Sequence, residues 1–397
     1  MKAFCVKKVT LPFKSKGCII ALSGLIVIVF IYSLSLSLLT TSIKNVQNIH
    51  PTLTNNGIHI ATLITSEKDL SYIDVLIKSM MYYQKRFHCQ QKRCCLVDLC
   101  QRITNKNTEC LDKKLTNGAI TFHLLIDKSS RAKLQTIVKN WHLNKVNFEF
   151  YDYKPYLSKL NWILSHPPAD IKSCTKLLLP EILPSYVRQV ISLDVDLMLN
   201  ADINELWNRF RYFRGSQMIG LAIEQNPYFE SVMNSLVKNW KGYGYNTGVI
   251  LLNLAKLRSV PWNHLWMSAT KFIMRNMGYL KNAEQDIINL IASRNIELFY
   301  EIPCEWNIQL SRGVEIRRCP VTWITKNKQV NDEELFYRNQ PKIIHMNHQI
   351  KPEDIDLKNI LNIDLNTSDT IYNADLLYKK YLKEYFKYRH VSRQCFY

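Results

Sequence analysis

Val190-Ile191-Ser192-Leu193-Asp194-Val195-Asp196-Leu197-Met198-Leu199 reads as a short buried strand, β-branched at its start and interrupted by two carboxylates. Burying either charge without a partner is costly, so a compensating cation is expected. Side chains two apart on an extended segment point the same way, so Asp194 and Asp196 can converge on one ion. Hard oxygen ligands suit Mg²⁺ or Mn²⁺, which commonly take a substrate's diphosphate as a further ligand. An acidic pair of this kind more often only ends a strand or caps the next element, so other stretches have to decide. Just downstream, Asp202 and Glu205 have the spacing of a capping box for a helix over residues 203–210.

Toward the N-terminus the alternation of strand and helix continues. The pattern predicts strands over 58–65, 120–126 and 146–151, and helices over 72–83, 131–141 and 174–183. Such a βαβ series places the carboxylate pair at a strand's end, where open α/β sheets bind ligands. Residues 88–118 interrupt it as a polar insertion holding Cys89, Cys94, Cys95, Cys100 and Cys110. These spacings do not repeat as paired CxxC units, which favours disulfides over zinc.

Before the first strand stands a run without a charged residue, from Gly17 through Ile43, long enough to span a bilayer. Lys2, Lys7, Lys8, Lys14 and Lys16 precede it and Lys44 comes after it, which predicts a cytosolic N-terminus and a lumenal remainder. The expected division is a cytosolic tail (1–16), a signal anchor (17–43), a short stem (44–57), a catalytic domain (58–351) and a helical extension (352–397). An oxidising lumen agrees with the cysteine content. Of the nine cysteines beyond the span, an odd number, one is expected to be free. Asn366-Thr367-Ser368 is a glycosylation sequon that this location would make usable. With 397 residues and 47% hydrophobic content the chain can bury a large core, and its charge of +19 favours anionic partners. Nothing in it resembles a nucleic-acid module.

Toward the C-terminus, Tyr243-Gly244-Tyr245-Asn246-Thr247-Gly248 precedes an apolar strand expected over 249–254. Its glycines allow close backbone approach, and the Asn amide can bond sugar hydroxyls. Glu284-Gln285-Asp286 opens a helix, where acids commonly serve the helix dipole. His345 ends a short strand and Lys351 stands six residues on; with the aspartates, His345 could complete a metal set, and Lys351 could neutralise a departing diphosphate. Residues 375–391 place Leu377, Tyr381, Tyr385 and Tyr388 at near-helical spacing, the pattern of a helix packed on the domain.

These elements in this order resemble glycosyltransferase family 8: Leu193-Asp194-Val195-Asp196, then Asn246-Thr247-Gly248-Val249-Ile250-Leu251-Leu252, Glu284-Gln285-Asp286, and His345 with Lys351. Within that family the likeness is to the xylosyltransferase domain of the LARGE glycosyltransferases, carried further by Pro303 to Ser311 and by Cys319. The resemblance implies an α/β, Rossmann-like GT-A domain and a retaining, UDP-sugar-dependent transferase. It implies Mn²⁺, with Mg²⁺ as the other candidate, held by Asp194, Asp196 and His345. Thr62, Leu63, Thr65, Lys176, Val195 and Lys351 fall where the nucleotide sugar is contacted, and Asn246, Thr247, Gly248, Glu284, Gln285 and Asp286 fall around the transferred sugar. The implied partners are a UDP-sugar donor, with xylose the sugar favoured, a glycan or glycoprotein acceptor, and the Golgi or endoplasmic reticulum membrane. A catalytically inactive lumenal glycan-binding relative is the alternative from another class.

Overall fold

The computed structural model describes residues 57–88, 94, 118–166, 170–323, 339–355 and 374–397. The expected anchor, the stem, most of the cysteine-rich insertion and the Asn366 sequon lie outside them. Among the described residues no helix is long and apolar enough to cross a membrane.

The architecture is α/β, as the alternation predicts. β1 (Ile58–Ile64) leads into α1 (Asp69–Tyr83), and β2 (Ile120–Ile126) into α2 (Lys128–Lys139), which Asp127 caps by accepting from the Ser130 amide. Next come β3 (Val146–Tyr151), a 3₁₀ segment at Ile171–Leu178, α3 (Leu179–Ile182) and β4 (Val190–Leu193). β5 (Leu197–Leu199), α4 (Ile203–Trp207), β6 (Ile219–Ile223), α5 (Tyr228–Leu236) and β7 (Tyr245–Leu252) complete the middle of the chain. The remainder holds α6 (Leu254–Ser259), α7 (Trp262–Met277), α8 (Glu284–Arg294), β8 (Phe299–Glu301), β9 (Ile308–Gln309), β10 (Ile343–His345) and α9 (Ala374–His390).

Seven strands form one sheet in the order β3-β2-β1-β4-β7-β6-β8, in which β7 alone runs antiparallel to its neighbours. Parallel strands buried on both faces require apolar residues in both registers. β1 meets this with Ile58, Ile60 and Ile64 in one core and Ala61 in the other. On the first face lie α1 and α9; on the second, α3, α7 and α8. A smaller sheet, β5-β10-β9, sits on the first core. The C-terminal helix forms as expected, burying Leu377, Tyr381, Tyr385 and Tyr388. Cys94–Cys395 ties the tail down and Cys304–Cys319 closes a second loop. Cys174 is the free cysteine among the described residues.

Four local expectations need correction. Residues 190–199 are two strands in two different sheets, with the carboxylates in the turn between them. The stretch 174–183 starts as 3₁₀ and becomes α only at Leu179, where Pro180 fits the first turn of a new helix. β7 begins at Tyr245, so Asn246, Thr247 and Gly248 lie within a strand. Its register against β6 jumps from Leu221↔Ile250 to Ala222↔Asn246, and the resulting bulge re-aims those side chains. The helix after Asp202 ends early as α4, continued by a 3₁₀ segment; Asp202 caps it through the Asn204 amide, while Glu205 pairs with Lys342.

Away from the sheet's ligand-binding end, His59 Nδ1 lies 2.9 Å from His123 Nε2, and His123 Nδ1 lies 3.3 Å from Glu149. Burial, reinforced by His59, holds the His123 imidazole down at about 4. In the unfolded chain a histidine titrates near 6.5, so as pH falls the unfolded chain takes up the proton first. Stability is therefore complete above about pH 6.5 and declines between there and about 4, by roughly 3 kcal/mol for this one group. Thermal unfolding across that range is expected to show the decline in the wild type and a flatter profile in His123→Gln.

Candidate metal and nucleotide-sugar site

The turn between β4 and β5 is pinned at both ends: the Asp194 amide donates to Gly248 O at 2.9 Å, and the Met346 amide donates to Asp196 O at 2.9 Å. Its two carboxylates thus face the end of β10, although strand alternation is not what aligns them. His345 Nε2 stands 3.6 Å from Asp194 Oδ2 and 3.5 Å from Asp196 Oδ1. One ligand atom from each of the three residues falls within 4.8 Å of the others. Two oxygens and a ring nitrogen at that spacing fit a divalent cation such as Mn²⁺ or Mg²⁺.

Gly248 makes this packing possible. A Cβ there would lie 2.3 Å from His345 Cε1 and 2.4 Å from His345 Nδ1. Gly248→Ala is therefore expected to push the imidazole aside by about an ångström and lower turnover by roughly a hundredfold. Steady-state kinetics beside a thermal melt would separate this displacement from unfolding.

A lysine stands on each side of the acids. Lys351 Nζ lies 2.6 Å from Asp196 Oδ2 and also donates to Met346 O. Lys176 Nζ lies 2.6 Å from Asp194 Oδ1 and 2.7 Å from Glu284 Oε1, and donates to Thr247 O at 3.1 Å. Burial alone would raise Asp196, but Lys351 and His345 outweigh it and hold its carboxyl well below the usual range. Burial prevails for Asp194, aided by the charge of Asp196, and its carboxyl is pushed up. Lys176 resists its own burial because Asp194 and Glu284 raise it, and the same lysine holds Glu284 down.

The other expected site residues divide into two groups. Glu284, Gln285, Asn246 and Thr247 join the buried cluster: Thr247 Oγ1 donates to Glu284 at 3.0 Å, and Gln285 Oε1 accepts from the Thr247 amide at 3.2 Å. Thr62 pairs with Leu193 across β1 and β4, one residue before Asp194, and its buried hydroxyl has no hydrogen-bond partner among the described residues. Asp286 is not brought in. It accepts from the Lys281 and Asn282 amides and bonds the Asn282 side chain, bracing the turn that leads to Ala283, whose φ is +48°. Thr65 donates to Asp69 at the start of α1, Leu63 packs against the second core and Val195 against the first.

Glu224 was not foreseen. It comes directly after β6, buried, and accepts from Asn246 Nδ2 and Gln285 Nε2, both at 2.9 Å. Asn307, also not foreseen, donates to Asn246 Oδ1 at 2.8 Å. An acid closing an apolar strand was the readable signal, the same one that singles out Asp194.

Over 233 residues the chain is 34% identical to xylosyl- and glucuronyltransferase LARGE1 of Gallus gallus and 33% identical to that of Homo sapiens, a match covering 57% of this chain. The match spans 30% of the length of those relatives. Among solved structures, mouse xyloside xylosyltransferase 1 superposes with a TM-score of 0.49 at 20% identity, covering 73% of this chain and 98% of that one. Galactosyltransferase LgtC gives 0.48 at 16% identity, covering 82% and 95%. The family model Glycosyl transferase family 8 matches residues 70–352, which contain the whole acid, histidine and lysine cluster, and the chain belongs to that family.

Proposed function

We propose that this glycosyltransferase is a retaining, Mn²⁺-dependent enzyme of GT-A fold that moves xylose from a UDP donor to a glycan or glycoprotein acceptor. The carrying observation is the convergence of Asp194, Asp196 and His345 between Lys176 and Lys351. The three acid and imidazole groups would hold the ion, which supplies positive charge to the donor's diphosphate. Lys351 adds its own charge on the Asp196 side, where negative charge builds as the glycosidic bond breaks. Lys176 keeps Glu284 ionised and fixed, and Gln285 and Asn246, buried beside it, would offer the transferred sugar amide groups suited to its hydroxyls. Thr62, opposite the last residue of β4, would face the nucleoside.

The choice of xylose rests on the likeness to proteins named for xylosyl transfer. Because the match spans 30% of them, their paired glucuronyl activity is not carried over. The uncharged run 17–43 supports placement as a type II protein of the Golgi or endoplasmic reticulum membrane, with the basic surface favouring acidic acceptors. Donor hydrolysis by the purified protein with Mn²⁺, screened over UDP-xylose, UDP-glucose, UDP-galactose and UDP-glucuronate, tests the reading. Turnover of UDP-xylose first, with the α-anomer released, is expected. Preference for another donor would overturn the sugar assignment, and no turnover of any donor together with no Mn²⁺-dependent UDP binding would favour a glycan-binding relative.

A further inference from the structure

Glu224 holds two amides of the sugar pocket at once. Its Oε2 accepts from Asn246 Nδ2 and Gln285 Nε2, while its Oε1 accepts from the Asn226 amide at 2.8 Å. The far ends of both amides are fixed as well. Asn246 Oδ1 accepts from the Gly248 amide at 3.0 Å and from Asn307 Nδ2, and Gln285 Oε1 accepts from the Thr247 amide. A carboxylate can only accept, so it compels both amides to turn their NH₂ groups toward it. Each NH₂ carries a second hydrogen beyond the one on Glu224. Two N–H donors are thereby held side by side next to the metal-type cluster, a pattern matched to hydroxyl oxygens of a sugar.

Building on the transferase reading, we infer that Glu224 is a positioning residue that sets which nucleotide sugar is used, by fixing the donor pattern of Asn246 and Gln285. It acts through those amides and is 4% exposed. Glutamine in its place offers one accepting end and one donating end. With the oxygen on the two amides, its NH₂ meets the Asn226 N–H; reversed, it meets two NH₂ groups. Either arrangement leaves a donor facing a donor: the first gives up the bond to the half-buried Asn226 amide that fixes the side chain beneath the pair, and the second turns an amide of the pair itself.

The test uses the whole protein with Mn²⁺, measuring UDP affinity by calorimetry and turnover of UDP-xylose, UDP-glucose and UDP-galactose. Glu224→Gln is expected to leave UDP affinity within about twofold, to lower turnover of the preferred donor by roughly 10–100-fold, and to flatten the preference among the three. An unchanged preference overturns the inference, as does a parallel loss of UDP affinity, which marks a general structural role. Should Glu224→Gln fail to fold, Asn307→Ala decides: it removes one of the two donors that hold Asn246 Oδ1, leaving the Gly248 amide, and is expected to shift the preference the same way by a few-fold. Failure of the wild type to bind UDP with Mn²⁺ would strike the parent reading first and remove the inference with it, whereas normal wild-type turnover with an unshifted variant sinks the inference alone.

Discussion

Asp196→Asn is expected to lower donor turnover by about a thousandfold while the fold survives. The kinetic half of this comes from the role proposed for the carboxylate: as one of three ligands it would hold the cation, and charge stabilisation by a bound cation is worth several kcal/mol, with each 1.4 kcal/mol a factor of ten. The structural half comes from the groups around it. Without an ion, Asp196 and Asp194 repel, and Asp196 contributes to the raised Asp194 carboxyl. Neutralising Asp196 relieves that repulsion. Lys351 loses its partner at 2.6 Å but keeps Met346 O and is 29% exposed, so water can compensate. Because Lys351 and His345 hold the Asp196 carboxyl down, its ionised form favours the fold, and the melting temperature of the metal-free protein is expected to fall by a few degrees without loss of the native structure. The stabilisation that Mn²⁺ with UDP gives the wild type should vanish in the variant, because binding to the native state alone raises apparent stability.

Lys176→Met is expected to cost more stability than Asp196→Asn. Lys176 is 8% exposed and lies between two carboxylates on separate elements, Asp194 after β4 and Glu284 at the start of α8. Methionine matches its length but leaves both acids facing each other without a cation. Removing one partner of a buried ion pair typically costs about 3–5 kcal/mol, which for a chain of this size is a fall of roughly 4–6 °C in melting temperature. The pH dependence identifies the cause. In the wild type Lys176 holds the Glu284 carboxyl down. In the variant that carboxyl rises, the folded state takes up a proton more readily than the unfolded chain, and the deficit shrinks as pH falls below about 5. A deficit that is the same at pH 5 and pH 8 would point to lost packing instead. Lys176→Arg keeps the charge and is expected to recover much of the stability but not the turnover, since a planar guanidinium cannot replace a point charge in this gap.

The sequence carried most of the scaffold because period and polarity state it directly. β1, β2 and β3 are continuous apolar or alternating runs, and α9 shows its buried face as Leu377, Tyr381, Tyr385 and Tyr388. The candidate metal cluster was legible for a different reason. Carboxylates that interrupt an apolar run draw the eye to Asp194 and Asp196, and although such a pair alone more often ends a strand, the order of motifs attaches His345 to them. What local pattern could not show is tertiary. The split of 190–199 into strands of two sheets depends on β10 pairing with β5, a contact between segments well over a hundred residues apart. The bulge that turns Asn246 inward depends on the register of β6 against β7. Asp286 looks like a site residue from its neighbours, yet a helix places consecutive side chains about 100° apart, and this one faces the preceding turn. Glu224 was passed over because a single acid at a strand end is common; only the two amides that converge on it from β7 and α8 mark it out.

The direct test of the central claim is a Mn²⁺ titration monitored by electron paramagnetic resonance, in which the signal of the free aqueous ion disappears on binding. With UDP present, one ion is expected to bind per wild-type chain and none at the same concentrations in His345→Ala or Asp194→Asn. Binding of equal strength in wild type and both variants would place the ion elsewhere and contradict the assignment of Asp194, Asp196 and His345.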